Sequence, residues 1–385
     1  MDNNNKLVGI VSYNTHSYHL NYGTVLHSYA FQQYLKKKGV DSVILDYIPN
    51  NLEHYNEKWP ILNYKHFWHV RTYLLHLRDW GIGWYENLKK YNKFQNFYNT
   101  HYKKTRYAYT CAQLKTMTNV EGLPVSIWVC ESDVIWKLYS EGGFDDIFYL
   151  YAPFAENTVK VAYSPSMGSR KFTEGEKTKF LEMTSSFRAI SCREKEPADY
   201  VASITGRDVP WVLDPTLLLD AEDYNKVAKD PEEQHYLLCF NCMKNDKDMV
   251  RESCKLADKL GLKMIEISNY DQNKFTFKHK VRTDVGIEEF LGYFKNADFI
   301  VCSSFHGCCF AITYRKQFFL FQRDKTDTRM PSITKALHCY DRMISCESKK
   351  IPDTFEPIDY EPIVQELKTM RELSYKYIDD NIINV

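Results

Sequence analysis

The residues best suited to chemistry in this sequence stand where apolar runs stop. Ser303, Ser304 and His306 follow the apolar run DFIVC, and a second run, CCFAITY, begins directly after Gly307. This pattern predicts a strand that ends near Ser303 and a helix that begins near Gly307, with a serine as its cap. A helix start favours an anion, and an imidazole there can donate a hydrogen bond or transfer a proton. A histidine held by a neighbouring carbonyl explains the pattern equally well.

Three further segments carry polar side chains at the ends of predicted strands or the start of a helix. Arg193, in SCRE, can bind a carboxylate or phosphate through two hydrogen bonds, or pair with Glu194 or Glu196 at the surface. Asp133, in ESDVIW, can accept a proton or a sugar hydroxyl, or cap the next segment. In NYGT, Gly23 at a helix start would let a ligand approach the backbone closely.

Strands and helices that alternate along the chain must position these residues. For the first half we predict a helix at 24–39 and strands at 7–13, 42–48, 125–132, 159–166 and 189–194. The second half repeats the alternation from HYLLCFNC onward. Between the halves, VPWVLDPTLLLD (209–220) is predicted as a strand that leaves into a proline-containing connection.

This alternation predicts an α/β fold with parallel sheets and right-handed crossovers. We expect two Rossmann-like domains facing a cleft, the layout of two-domain, B-type glycosyltransferases, with ligands at the carboxyl ends of the strands. The N-terminal domain would cover 1–207 with a helical insertion at 54–110, and the C-terminal domain 208–355. A charged helix in 356–385 would pack back on the N-terminal domain.

Composition narrows the class of protein. The 385 residues include 50 Lys and Arg and 50 Asp and Glu, and this balance gives no general attraction to nucleic acid. Several of the 11 cysteines lie in apolar runs, which favours reduced, buried thiols in a cytoplasmic protein over a metal or redox pair in CFNC. The polar start MDNNNK predicts no signal peptide, and no apolar run has the length of a membrane span.

The segment 54–110 differs from the rest of the chain. It holds four of the seven tryptophans and ten Lys and Arg against three Asp and Glu. Its periodicity favours a pair of helices packed on the first domain. The alternative is a surface that meets anionic lipid headgroups. Its five histidines have no carboxylate at ligand spacing, so we predict no metal site.

The motifs, in their order along the chain, resemble the polysaccharide pyruvyl transferase family. The resemblance covers most of residues 7–345, and the ordered set is more specific than any single motif. It is carried by NYGTVLHSYAFQQYLKKKG, by ESDVIW followed by KVAYSPSMG, by SCREKEPADYVASITGRDVPWVLDPTLLL, by DFIVCSSFHGCCFAITYRKQFFLF, and by TDTRMPSITKALHCYDRM.

The resemblance implies a B-type glycosyltransferase-like fold and transfer of the enolpyruvyl carbon skeleton of phosphoenolpyruvate onto two hydroxyls of one sugar. The product would be a cyclic pyruvate ketal in a capsular, exopolysaccharide or cell-wall glycan. Phosphoenolpyruvate is then the donor substrate on the C-terminal domain, and no cofactor is expected. We hypothesise an acceptor linked to polyprenyl diphosphate at the inner face of the cytoplasmic membrane. Segment 54–110 would then contact the membrane surface.

The resemblance also implies roles for individual residues. The family's functional histidine falls on His306 and its donor-binding arginine on Arg193, and Asp133 is our candidate base for a sugar hydroxyl. Further donor contacts are expected from Ser303, Ser304, Phe305, Gly307 and Arg329. Acceptor contacts are expected from Asn21, Tyr22, Gly23, Glu131 and Ser132.

The sequence departs from the family pattern at two positions. Many relatives carry a second donor-binding arginine where this chain has Ser304, and a glycine where it has Glu131. The positive charge that Ser304 lacks could come from one of five basic residues: Arg315, Lys316, Arg323, Lys325 and Arg329. We favour Arg329 because it lies in a family-like segment after the last strand. The alternatives are a glycosyltransferase that uses a nucleotide sugar, and a non-catalytic carbohydrate- or partner-binding relative.

Overall fold

The computed structural model describes residues 6–17, 19–59, 70–138, 143–168, 170–242, 246–269, 273 and 278–385, with the backbone alone for 70–82. The strands are β1 (Leu7–Val11), β2 (Asp41–Ile44), β3 (Tyr47–Ile48), β4 (Tyr109–Thr110), β5 (Val125–Glu131), β6 (Val159–Tyr163), β7 (Phe187–Ile190), β8 (Tyr236–Asn241), β9 (Lys263–Ser268), β10 (Lys280–Arg282), β11 (Phe299–Cys302), β12 (Gln317–Phe321) and β13 (Met343–Ile344). The helices are α1 (Tyr22–Lys37), α2 (Val70–His101), α3 (Cys111–Leu114), α4 (Glu174–Thr184), α5 (Lys195–Thr205), α6 (Ala221–Asn225), α7 (Lys247–Leu260), α8 (Ile287–Asn296), α9 (Phe305–Thr313), α10 (Arg329–Ala336) and α11 (Tyr360–Ile378).

Two parallel sheets organise the chain. The first has the order β2-β1-β5-β6-β7 and the second the order β10-β9-β8-β11-β12-β13. Counted within each half, these orders are 2-1-3-4-5 and 3-2-1-4-5-6, the two common doubly wound arrangements. The α/β fold with two Rossmann-like domains, as in B-type glycosyltransferases, is therefore confirmed.

The connection between the halves corrects one prediction. Segment 209–220 is not a strand: Trp211 forms a single isolated bridge with Cys192, and Pro215–Leu217 form a 3-10 turn. Pro215 has no backbone N–H to donate to a sheet and opens the 3-10 turn, so the bridge at Trp211 does not extend past it. The short edge strands β10 and β13 were not predicted, because two or three residues show no periodicity.

Helix α2 corrects the prediction for segment 54–110. Residues 60–69 lie outside the described part of the chain, and from residue 70 onward there is one helix of 32 residues, not a pair. Phe94, Phe97 and Tyr98 near its end are buried in the core. Lys93 forms an ion pair with Glu289 of α8 at 2.7 Å, so α2 contacts both domains.

The two domains share an apolar interface. A single core cluster contains side chains of both halves, and the Tyr22 ring of α1 stacks on Phe290 of α8 with centroids 4.3 Å apart. Helix α11 lies against the N-terminal domain, where the Tyr377 hydroxyl donates to the Ala162 carbonyl at 2.9 Å. In the described part of the chain, no helix has both the length and the apolar character needed to cross a membrane.

Candidate active site

His306 projects from the start of α9, at the carboxyl edge of the second sheet. Ser304 is the N-cap of the helix, and its hydroxyl oxygen accepts from the Gly307 N–H at 3.4 Å. A Cβ on Gly307 would lie 2.9 Å from Cys302 Sγ, so only glycine lets α9 pack this closely on β11. The predicted strand-to-helix junction is therefore present, with His306 nearly buried in it.

Helix α1 of the N-terminal domain packs against the His306 ring. A Cβ on Gly23 would lie 1.9 Å from His306 Nδ1, and Asn21 caps this helix by accepting from the Gly23 N–H at 3.0 Å. Gly23 was predicted to admit a ligand to the backbone. The group that approaches it is instead the imidazole of His306, which joins the two domains at this point.

Asp133 follows β5 in a left-handed turn. Ser132 and Asp133 have φ angles of 43° and 53°, a backbone region that costs energy for side chains other than glycine and often occurs at functional sites. The Asp133 carboxylate accepts from the Val134 N–H at 2.8 Å and from the Thr24 hydroxyl at 3.3 Å. The turn thus holds the carboxylate beside the start of α1.

Arg193 follows β7 and is buried. Its Nη1 donates to Asp214 Oδ2 at 2.9 Å, and its Nη2 lies 3.8 Å from Asp133 Oδ1. The guanidinium carbon lies 4.6 Å from the centre of the Phe305 ring, a cation–π contact. Its Nε lies 3.5 Å from the buried Glu194 carboxylate, and among the described residues neither Nε nor Nη2 forms a hydrogen bond. The structure thus brings Arg193, Asp133 and Phe305 together.

Two residues of this cluster were missed in the sequence. Asp214 accepts from Arg193 and, at 2.6 Å, from Ser132, and it lies 3.7 Å from His306 Nε2. It follows an apolar run, the same signal that singled out Asp133. His27 lies one helical turn after Gly23 on α1, and this spacing could have indicated it.

The charges of the cluster follow from its burial and its pairing. Burial lowers the pKa of the His306 imidazole, and the Asp214 carboxylate only partly opposes this. Burial alone would raise the pKa of Asp133, but Arg193, His27 and His306 bring it below its usual value. Burial works against a charged His27, yet the Glu131 carboxylate raises its pKa. Relative to the same groups in water, the site therefore favours the charged forms of Asp133 and His27 and the neutral form of His306.

A cavity of about 450 Å³ opens beside Asp133. Asn21 and Thr24 of α1 line one wall, and Arg329 lines another. Three basic side chains, Lys137, Arg170 and Arg329, and three acidic ones, Asp133, Asp324 and Asp327, line it, so their formal charges balance. Of the predicted site residues, Asn21, Asp133 and Arg329 line this cavity, whereas His306 and Arg193 do not. A volume in this range suits a small ligand or part of a larger one.

Several predicted contact residues are not accessible from this cavity. Tyr22 is buried between the domains, where its hydroxyl donates to the Val285 carbonyl at 2.8 Å. Glu131 and Ser132 are fully buried and bonded to protein groups, so they support the site and cannot touch an acceptor directly. Gly307 likewise serves helix packing.

The five basic candidates for the charge absent at Ser304 fall in different places. Arg329 lines the cavity, and its Nε donates to Asp327 Oδ1 at 3.0 Å. Arg323 Nε donates to the Ser303 carbonyl at 2.6 Å and so holds the loop before α9. The others do not line the cavity: Lys325 is paired with Glu347, Arg315 is exposed and Lys316 is partly buried.

A family comparison agrees with this geometry. The model of the family described as polysaccharide pyruvyl transferase matches residues 21–325. The chain belongs to the polysaccharide pyruvyl transferase family. This places it among transferases, and the resemblance predicted from the motifs is confirmed. None of the curated proteins compared with this pyruvyl transferase family member matches it.

Solved structures similar to this pyruvyl transferase family member share little sequence with it. UDP-GlcNAc 2-epimerase of Methanocaldococcus jannaschii is 12% identical, with a TM-score of 0.44, over 95% of this chain and 92% of its own. MurG of Acinetobacter baumannii is 9% identical, with a TM-score of 0.44, over 98% of this chain and 99% of its own.

In the described residues, no group of three or more metal-ligating side chains could hold a metal ion, and all 11 cysteines are free.

Proposed function

We propose that the protein transfers pyruvate from phosphoenolpyruvate onto two hydroxyls of one sugar, as a cyclic ketal. The observation that carries the proposal is the cluster of His306, Arg193 and Asp133 in a chain of this family, with Asp133 on the wall of a cavity of about 450 Å³. These residues come from both domains, so a donor and an acceptor could meet between them.

Donor binding is supported by buried N–H and O–H groups that lack partners. Among the described residues, Arg193 Nε and Nη2, His306 Nε2 and Ser303 Oγ form no hydrogen bond, and carboxylates lie 3.5 to 3.8 Å from the first three. A buried polar group without a partner is costly, and carboxylate or phosphate oxygens would satisfy these groups. Arg329 on the cavity wall would add the positive charge that Ser304 does not supply.

The reaction we propose balances its protons. Protonated His306 gives a proton to the methylene carbon, which becomes a methyl group, and positive character develops at the adjacent carbon. The first sugar hydroxyl bonds to that carbon and gives its proton to Asp133. The second hydroxyl bonds there as the carbon–phosphate oxygen bond breaks. Its proton returns to His306, and the proton on Asp133 leaves with the phosphate.

The charge of His306 fits this sequence of steps if the donor arrives first. Burial keeps the imidazole neutral in the resting site, because it lowers the pKa. An anionic donor beside the ring would raise the pKa again, so proton uptake would accompany donor binding. The general acid would then be charged only when phosphoenolpyruvate is in place.

Mass spectrometry of candidate glycans incubated with phosphoenolpyruvate tests the proposal. We expect a mass gain of one pyruvate less one water, together with one equivalent of released phosphate. A parallel reaction with sugar nucleotides is the control. Transfer of a sugar from a nucleotide would establish the glycosyltransferase alternative, and donor binding without phosphate release would indicate a non-catalytic relative.

We further propose that the acceptor is a lipid-linked precursor of a capsular, exopolysaccharide or cell-wall glycan. In support, Trp84 and Tyr85 on α2 are 40% and 55% exposed, and Lys89 lies 4.2 Å from the Tyr85 ring centre. Aromatic and basic side chains together favour the interface of an anionic membrane. Co-sedimentation with liposomes should increase with anionic lipid content, and a response to neutral lipid alone would contradict this.

A further inference from the structure

A second imidazole lies beneath the proposed catalytic residues. His27 of α1 and Glu131 of β5 are both fully buried, and His27 Nδ1 lies 3.1 Å from each carboxylate oxygen of Glu131. The Ser28 hydroxyl donates to Glu131 Oε1 at 2.6 Å. Burying such a pair costs desolvation energy, and an apolar pair of the same size would often be at least as stable. The buried pair is therefore weak evidence for stabilisation, and its contacts with the site decide its role.

The other ring nitrogen of His27 points into the site. Nε2 forms no hydrogen bond with the described residues and lies 3.9 Å from Asp133 Oδ2. The His27 and His306 rings lie 6.0 Å apart with an angle of 23° between their planes. His27 is thus sealed from solvent and directly adjacent to the two groups proposed to move protons.

The charged groups around His27 come from four elements. Glu131 ends β5 and Asp133 lies in the turn after it, while Asp214 precedes the 3-10 turn between the domains. Arg193 follows β7 and His306 begins α9, on the far side of these carboxylates. Carboxylates thus surround the imidazole more closely than cations do, and they favour its protonated form.

We propose that the His27–Glu131 pair is a positioning device for the transfer reaction: the His27 imidazolium, oriented by Glu131, holds Asp133 as the carboxylate that receives the proton of the acceptor hydroxyl. This rests on the proposed function. His27 does not touch the substrates and acts through Asp133. Glu131 is the partner that favours the charged form of His27, because its carboxylate oxygens lie 3.1 Å from Nδ1.

The test uses the variants His27→Gln and Glu131→Gln, which keep the volume of each side chain. The pH profile of kcat/KM for the acceptor is measured in the full chain, with phosphoenolpyruvate in excess. Asp133 loses its cationic neighbour in both variants, so the acid limb of the profile should move to higher pH by about one unit, the effect of one nearby charge. The KM for phosphoenolpyruvate should stay the same.

The matched control is His279→Gln. His279 Nε2 lies 2.7 Å from Glu266 Oε2, and both side chains are fully buried, but this pair belongs to the second domain. Its loss should lower the melting temperature without moving the acid limb. If His27→Gln and Glu131→Gln only lower the melting temperature in the same way, the pair is structural and the proposal is overturned.

Histidine NMR separates this inference from the proposed function. We expect the His27 imidazole to remain protonated at pH 7 in the wild-type protein and to become neutral in Glu131→Gln. Absence of ketal formation in the wild type, with His27 charged, would defeat the proposed function alone. A neutral His27 in the wild type, or ketal formation with an unmoved acid limb in the variants, would defeat the inference alone.

Discussion

His306 depends on two neighbours and on its burial for its position and its charge. Gly23 supports one face of the ring, Asp214 lies 3.7 Å from Nε2, and burial lowers the pKa of the imidazole. Neither of these neighbours is close to His306 in sequence. The motif SSFHG therefore indicated a candidate residue, but its chemistry depends on groups that only the folded chain supplies.

His306→Gln should lower kcat by about 10²–10⁴, the usual effect of removing a general acid. Phosphoenolpyruvate should still bind, since Arg193 and the cavity wall remain. Calorimetry in buffers of different ionisation enthalpy should show proton uptake on donor binding in the wild type and not in the variant. Turnover close to that of the wild type would contradict the assignment.

Arg193→Lys keeps a positive charge beside Asp214 but removes the planar guanidinium. The Nε and Nη2 groups, which form no hydrogen bond with the described residues, would be lost as ligands for the donor. The KM for phosphoenolpyruvate should rise about tenfold to a hundredfold, the worth of one or two charge-assisted hydrogen bonds. The KM for the acceptor should change little, and an unchanged donor affinity would argue against this role.

At the scale of elements, the site is made where α1 and α9 meet. α1 reaches His306 at Gly23, and Tyr22 beside it stacks on α8. Asp133, Arg193 and His306 were predicted from the sequence because each follows a predicted strand, and parallel strands place such residues at one edge of each sheet. Their positions after strands could not show that the two edges face each other.

Gly23→Ala tests the contact between α1 and α9. The added methyl group would lie 1.9 Å from His306 Nδ1, so the imidazole must move. Because small displacements of a reacting group can cost about 10²-fold in rate, kcat should fall by at least about tenfold. Gly175→Ala at the start of α4 is the control, since a Cβ there meets no atom within 4 Å. Equal kcat values for the two variants would contradict the contact.

For the whole molecule, the shared core between the domains is the feature least visible in the sequence. Lys90 on α2 is buried in it, and its ammonium donates to Asn269 Oδ1 of the second domain at 2.6 Å. The ammonium also lies 4.5 Å from the Tyr22 ring centre. Burial lowers the pKa of Lys90 to about 7. The interface thus contains a charge that the native state holds only at lower pH.

Lys90→Met should change how stability depends on pH. Between pH 7 and the usual lysine pKa, the unfolded chain binds a proton that the native state does not. The free energy of unfolding should therefore rise with pH in this window, by up to about 1.4 kcal/mol per unit. Denaturant unfolding at pH 7 and pH 9 should show this rise in the wild type and in the exposed-site control Lys89→Met, but not in Lys90→Met. An equal rise in Lys90→Met would contradict the assignment.

The sequence by itself determined the local structure and the family. Apolar runs and helical spacing predicted the main strands and helices, since side-chain periodicity follows from backbone geometry, and the ordered motifs indicated the polysaccharide pyruvyl transferase family. Prolines decided against the strand predicted at 209–220, a steric limit that periodicity does not register.

Only the tertiary structure decided which polar residues meet. Glu131 pairs with His27 across 104 positions of the chain, and Asp214, in the connection between the domains, lies 3.7 Å from His306. Tyr22 and Ser132, predicted to touch the acceptor, are buried as supports instead. The physical reason is that charge pairing and burial depend on distances in space, whereas residue type and spacing determine only the local conformation and the face on which each side chain lies.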